Sequence, residues 1–475
     1  MSTSRRMRRR RRGGFLLAFG AVVGGLALVS AVGTVAGLTQ GPRLTDVQVD
    51  PAASIAESGS RVILRANQAL TAIDPDQVTI MPETEYTLDA AGRTVGVRFP
   101  TALDADTTYS VSIGGVIGAG GGPASTLETS FTTPRASILV VERDGNGPDE
   151  IRQVEIGGDS TRVILRADSI DDFRVTSRYL IASIVEGEAM RLLVVDREAG
   201  AEGEAQRTVD VPLPGEGTVT GLQVSDRGEL YGFTFTDRGI SEGSGRANVL
   251  FTGSLRSAFA GDEPEAVVVG SDEPSIDRWR FVPETSSLLL NDFDGDLTLV
   301  DLTNAEADAT SFGVALGIEG VARSTYTALI EHAEQGFIEL DLATGESRTL
   351  DDVDLGVETT LGHILPIPQG TLRSYAEIED NLPTRTLVVA VTGEDDQVTE
   401  LAEVPQQDAV LQVCASPSAQ YAAVTVAPDL PNNRYDDLVQ RMPERVETRV
   451  VDVASGETVT TVPGFGASWC DVGPW

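Results

Sequence analysis

The sequence predicts a mainly β protein: an N-terminal transmembrane helix, a small β-sandwich, and a β-propeller of about seven blades. Three observations predict it. A long apolar run follows a block of arginines, residues 44–134 alternate apolar and polar side chains with period two, and a strand pattern recurs at intervals of roughly 40 to 57 residues from there onward. The expected boundaries are 1–12 for a basic cytoplasmic tail, 13–38 for a membrane anchor, 43–134 for the sandwich and 136–475 for the propeller.

The first element rests on hydropathy and charge. Seven arginines lie between Arg5 and Arg12, and residues 13–38 contain no charged side chain. Such a stretch is long enough to cross a hydrocarbon core of about 30 Å, and flanking arginines stay on the cytoplasmic side. The expectation is a single-pass cell-membrane protein with a cytoplasmic N-terminus and extracytoplasmic bulk. A cleaved signal peptide is the alternative, and it would make the remainder secreted. Nucleic acid is excluded as a partner, because a basic arm that runs straight into an apolar segment cannot lie along phosphates. The remaining charge agrees: the chain of 475 residues carries 72 acids against 36 basic residues, all arginine, a net charge of -36. Such a field repels nucleic acid and anionic surfaces and favours solubility.

Between Leu44 and Pro134, the runs "SRVILRAN", "RTVGVRFP", "TTYSVSIGGV" and "LETSFTTP" alternate and are separated by Gly, Pro and Asp clusters, the pattern of a sandwich of about 90 residues. The segment "LDADTTYSVSIGGVIGAGGGPASTLETSFTTP", with Leu103, Tyr109 and Phe131-Thr132-Thr133, resembles the closing half of the bacterial Ig-like domain of the SbsA type. That resemblance implies a spacer on a cell surface.

In the third region, two features repeat. A strand ending near Ser or Pro is followed by a second strand, with anchors at Val175, Val224, Phe281, Val321, Leu365, Val413 and Trp469. A further strand ends in an aspartate before a turn, at Asp196, Asp301, Asp341 and Asp452, where a turn accepts Asp and then Gly. The interval is the length of one four-stranded blade. "CASPSAQYAAV" is similar to the strand-turn-strand of TolB-like and WD-repeat-like propellers, although the chain lacks their Trp-Asp dipeptide and the blade after Val224 lacks the Asp turn. Three strands precede the anchor at Val175 and one spare strand, "GFGASWCDVGPW", ends the repeat, so that strand is expected to complete the first blade.

No catalytic constellation emerges. Gly239 to Gly243 satisfies G-x-S-x-G, but it follows a strand and no helix follows it, so it reads as a loop. His332 and His363 are the only histidines and fall in different blades, and the acidic turns Asp292–Asp296 and Asp144–Glu150 lack the spacing of a calcium loop. No metal and no cofactor are expected. The candidate binding element is the insertion 427–447, with Arg434, Tyr435, Asp436 and Asp437 and a short helical signal in "YDDLVQRM", placed to cover one mouth of the channel.

Cys414 and Cys470 occupy equivalent positions beside the anchors Val413 and Trp469. Neighbouring first strands converge at a propeller axis, so a bridge would pin the closing strand. Two buried free thiols are the other reading. The function expected is noncatalytic: a membrane-anchored envelope protein whose Ig-like stalk presents a propeller to an envelope protein or a cell-wall polymer. The alternative is a polysaccharide hydrolase or lyase using carboxylates in the channel, which requires two of them to converge within roughly 5 to 10 Å.

Overall fold

The computed structural model describes residues 40–474 apart from 144, 146, 199–206, 242–243, 271–272, 304–308 and 394. The expected basic tail 1–12 and anchor 13–38 lie outside the described residues. The expected single-pass membrane localisation is corrected here. Among the described residues no helix is long and apolar enough to cross a membrane. Helices such as Pro51–Ala56 and Leu255–Ala258 have six and four residues, against about 20 needed to span.

Two compact units divide the chain. One takes the described residues up to Pro51 together with Ser60–Phe99 and Thr108–Thr132, and the other takes Ala52–Gly59, Pro100–Thr107 and the chain from Thr133 onward. The first unit holds a four-stranded antiparallel sheet, in the order Leu44–Gln48, Arg61–Ala66, Thr94–Arg98 and Thr87–Ala91, and a three-stranded one made of Val78–Met81, Thr108–Val116 and Ser125–Thr132. Alternation does what period two dictates: Val62, Leu64, Val95 and Val97 from one sheet and Val111, Ile113 and Leu127 from the other are fully buried, while their neighbours face outward.

The second unit is a β-propeller. Among the described residues it has seven small antiparallel sheets, at 137–167, 170–211, 217–266, 276–314, 317–349, 359–405 and 409–463. The first sheet has three strands and each of the others four, paired in chain order. The first strands of the last six, Ile170–Val175, Gly217–Ser225, Ile276–Phe281, Gly317–Val321, Thr359–Ile367 and Ala409–Ala415, adjoin one another in sequence and form the inner wall.

The end of the repeat bridges to the first sheet without forming the expected fourth strand. Val141 and Phe465 exchange both backbone hydrogen bonds, at 2.9 and 3.0 Å, and the Ser468 amide donates to the Leu139 carbonyl at 2.9 Å. Phe465 is buried among Leu139, Val141, Phe173 and Met442, and the Arg143 guanidinium lies 4.7 Å above its ring. Trp469, expected at a strand position, instead sits in a turn closed by the Cys470 amide on the Ala467 carbonyl, because the chain reverses there.

The repeated aspartates have one job. Each ends the third strand of its sheet, where a side-chain oxygen accepts amides of the following turn: Asp301 from Thr303, Asp341 from Ala343 and Thr344, Asp452 from Ser455, and Asp196 from Glu198. The third strand of 217–266 does without: it runs into the short helix Leu255–Ala258, capped by the Ser254 hydroxyl. The acidic turn at Asp292 works in the same way, accepting the Asp294 and Asp296 amides. The Asp144–Glu150 turn lies partly outside the described residues, and its Glu150 is bonded to Arg152 and Arg166.

Cys414 and Cys470 are joined in a disulfide with Cα atoms 5.2 Å apart, across 56 residues. Tethering the closing segment to the last sheet restricts the unfolded chain, a stabilisation of about 4 kcal/mol in the chain-entropy model. Unfolded, unreduced protein is expected to show no reactive thiol. The Cys414→Ser, Cys470→Ser double variant should lose about that free energy in a denaturant titration, and two titratable thiols per chain would refute the bridge.

Candidate functional site

The inner strands enclose an axial cavity of about 550 Å³. Inner edges of neighbouring blades do not ladder with each other, so the polar groups there need other partners. Side chains supply them. Immediately before the anchors stand Arg174, Gln223, Arg280 and Gln412. The Gln223 amide donates to the Trp279 carbonyl of the next blade at 2.6 Å, and Arg280 donates to the Ile318 carbonyl of the blade after that at 3.0 Å. Gln412 donates to the Val472 carbonyl at 2.6 Å, and the Arg174 Nε to the Asp471 carbonyl at 3.2 Å.

A second regularity aims polar groups at the axis. All six of these inner strands shift register against their second strand, between Ile170 and Asp172, Thr220 and Gln223, Ile276 and Arg278, Ile318 and Gly320, Leu361 and Ile364, and Val410 and Gln412. A bulge leaves an extra residue unpaired and re-aims its side chain. The residues so released include Asp171, Asp277, Glu319 and His363, and the last three line the cavity. Trp279 completes the wall. Its indole fits because Gly232 has no side chain: a Cβ there would stand 2.6 Å from the ring.

The electrostatics are those of paired charges. Four carboxylates line the cavity, and each has an arginine partner: Asp172 with Arg174 at 2.6 Å, Asp471 with Arg323 at 3.2 Å, and Asp277 and Glu319 with Arg278 at 3.7 Å. Burial raises Asp172 and Glu319 above the ordinary carboxylate value, and the guanidiniums oppose that shift. Burial also pushes the Arg280 guanidinium down to about 10. Three buried polar atoms beside the cavity have no hydrogen-bond partner among the described residues: Arg174 Nη2, Trp279 Nε1 and Gln412 Oε1. Among the described residues no cluster of three or more His, Cys, Asp or Glu is placed to hold a metal ion. His332 and His363 stand on strands of different sheets. Ser241 of the G-x-S-x-G stretch pairs with Ser244 in a loop between strands.

The insertion reaches this site, though by another residue than the four expected. Arg434, Tyr435, Asp436 and Asp437 are outside the cavity lining, whereas Gln440 belongs to it. Tyr435 is half exposed and bridges to Pro443. Asp436 pairs with Arg143, and its carboxylate accepts the Leu438 and Met442 amides. That carboxylate takes the amides a helix would use, so "YDDLVQRM" forms a closed loop without the expected helical turn. Sequence reasoning missed these cavity residues because their signal is positional: a long polar residue just before the anchors Val175, Val224, Phe281 and Val413, visible only once the repeat is aligned.

No protein-family model matches the chain, and no curated protein matches it. Among solved structures it is similar to a periplasmic gluconolactonase of Pseudomonas aeruginosa, at 12% identity and a TM-score of 0.43, over 71% of this chain and 97% of that one. It is similar to an uncharacterized Listeria monocytogenes protein, at 10% identity and a TM-score of 0.43, over 69% and 91%. TolB from Acinetobacter baumannii matches at 10% identity and a TM-score of 0.35, over 82% and 80%. The propeller assignment rests on the sheets of this chain itself.

Asp171 offers a test of the packing under the insertion. It is buried, its carboxylate accepts the Gln440 amide at 2.8 Å, and burial raises its pKa from 3.8 to about 6. The folded state therefore holds this proton more tightly than the unfolded chain. Its contribution to stability is greatest below pH 3.8 and falls as pH rises to about 6, by up to about 3 kcal/mol. Asp171→Asn should thus gain stability relative to the native sequence between pH 4 and pH 7 in urea titrations. A difference independent of pH would contradict the assignment.

Proposed function

We propose that this protein is a noncatalytic binding propeller that engages a protein or a cell-wall polymer at its axial cavity. The observation that carries the reading is the pairing of every carboxylate in the cavity lining with an arginine. A glycosidase pair needs one carboxyl held neutral as proton donor and a second acting as base or nucleophile. A guanidinium beside each group favours its charged form and opposes the upward shift that burial gives Asp172 and Glu319. Asp171, raised to about 6, is engaged with the Gln440 amide and lies outside the lining. The cavity instead presents donors from Arg278, Arg280 and Arg323 together with Trp279, a set suited to holding oxygen acceptors. In this reading the two-sheet N-terminal unit is an Ig-like sandwich that presents the propeller.

The test pairs binding with turnover. Purified protein is incubated with cell-wall polysaccharide, with a sugar lactone and with immobilised candidate partner proteins, and both retention and products are measured. The expected result is retention without new reducing ends, unsaturated sugars or free acid. Arg278→Ala should weaken retention by about tenfold, the loss of one charge-assisted hydrogen bond. Product formation abolished by Glu319→Gln or Asp172→Asn would replace this reading with the hydrolase or lyase.

A further inference from the structure

The residues that follow the disulfide do not continue a blade. After the turn at Ala467–Cys470 the chain reverses, and Asp471, Val472, Gly473 and Pro474 all line the axial cavity. This stretch has no strand assignment, and side chains hold it there. Arg174 donates to the Asp471 carbonyl, Gln412 to the Val472 carbonyl, and Gln440 from the insertion to the Pro474 carbonyl at 2.9 Å, while Arg323 pairs with the Asp471 carboxylate.

The comparison within the ring is informative. Gln223 and Arg280, at the same repeat position, bond the inner strand of a neighbouring blade, at Trp279 and Ile318. Gln412 and Arg174 instead bond residues beyond the turn, a segment lying in the channel. Reading a backbone through its carbonyls, with one arginine for an acidic side chain, is how a protein recognises a peptide. The fit is incomplete on the receptor side: Arg174 Nη2, with a side chain only 3% exposed, and Gln412 Oε1, on a residue 1% exposed, have no hydrogen-bond partner among the described residues. A Cβ on Gly473 would lie 3.3 Å from that Arg174 nitrogen, 3.4 Å from Gln440 Oε1 and 3.5 Å from Asp172 Oδ2. Glycine there leaves a small polar recess that a single methyl group would already fill.

We infer that the axial cavity is a receptor for a short acidic peptide of a partner protein, and that Asp471–Pro474 is an intramolecular plug that competes for it. This deepens the binding reading above and rests on it. The disulfide fixes the root of the plug at Cys470, which keeps it close to the cavity at high effective concentration, so an external peptide binds well only when the plug is displaced.

The probe is a fluorescent peptide with the sequence Asp-Val-Gly-Pro-Trp, titrated by anisotropy against three proteins: the full chain, a variant lacking residues 471–475, and full-length Gly473→Leu, whose side chain overfills the recess. Thermal melts and the absence of reactive thiols establish that each variant keeps its fold. The expected result is at least about tenfold tighter binding by both variants than by the full chain, from removal of a tethered competitor at about millimolar effective concentration. Gln412→Ala in the deletion variant should reverse at least about fivefold of that gain, and a peptide with Lys in place of Asp should not bind. No binding by a folded deletion variant, equal binding by all three proteins, or equal binding of the Lys peptide would each overturn the inference. Retention of cell-wall polysaccharide with no peptide binding would overturn it too while leaving the noncatalytic reading in place, whereas turnover of that polysaccharide would remove the reading itself.

Discussion

The inner strand of each blade has one paired edge and one edge that faces its neighbours without a ladder. That constraint organises the second unit. A buried amide or carbonyl without a partner costs free energy on the order of 1–3 kcal/mol, so a ring of such edges must be satisfied by something other than backbone pairing. Here glutamine and arginine reach from one blade to the carbonyls of the next, at Gln223 and Arg280, and Gln412 reaches the Val472 carbonyl of the segment after the last blade. Polar side chains are therefore forced into the centre of an otherwise apolar assembly, and a cavity lined with donors follows from the architecture.

The same constraint explains why the charges there come in pairs. A guanidinium that bridges blades is desolvated, as the lowered pKa of Arg280 shows, and an unpaired charge in that position is expensive. Carboxylates brought to the axis by the bulges, Asp277 and Glu319, sit beside Arg278, and Asp172 beside Arg174. The pairing offsets part of the upward shift that burial imposes on Asp172 and Glu319. The few donors and acceptors left without partners then mark where a ligand gains most, since their desolvation has already been incurred.

Ring closure ties these features to the ends of the repeat. Phe465 pairs with Val141, the disulfide joins Cys470 to Cys414, and the chain turns back at once into the channel. Closing bridge, covalent tether and the segment that lines the cavity are thus consecutive in sequence. The insertion contributes Gln440, which bonds both Asp171 and Pro474. A change at the closing segment is therefore felt at the cavity without passing through the sheets.

Much of this architecture is legible in the sequence because strands and turns are local. Period two gives the strands, the repeat interval gives the sheets, and the aspartates at Asp301, Asp341 and Asp452 mark the third-strand turns by side-chain chemistry that acts within three residues. Cys414 and Cys470 are the only two cysteines, which leaves one possible intramolecular pairing, although Cys470 closes a turn instead of standing at the strand position that the repeat predicts. What the sequence alone could not place is whatever depends on which strands meet across the ring. Asp277, Glu319 and His363 face the cavity because of bulges, and a bulge is a property of two strands in register rather than of one. Asp436 outcompetes the helical signal of its own loop only because Arg143, nearly 300 residues earlier, fixes it in place. The reversal after Cys470 likewise depends on Gln412, Arg174 and Gln440, which come together only when the ring is closed.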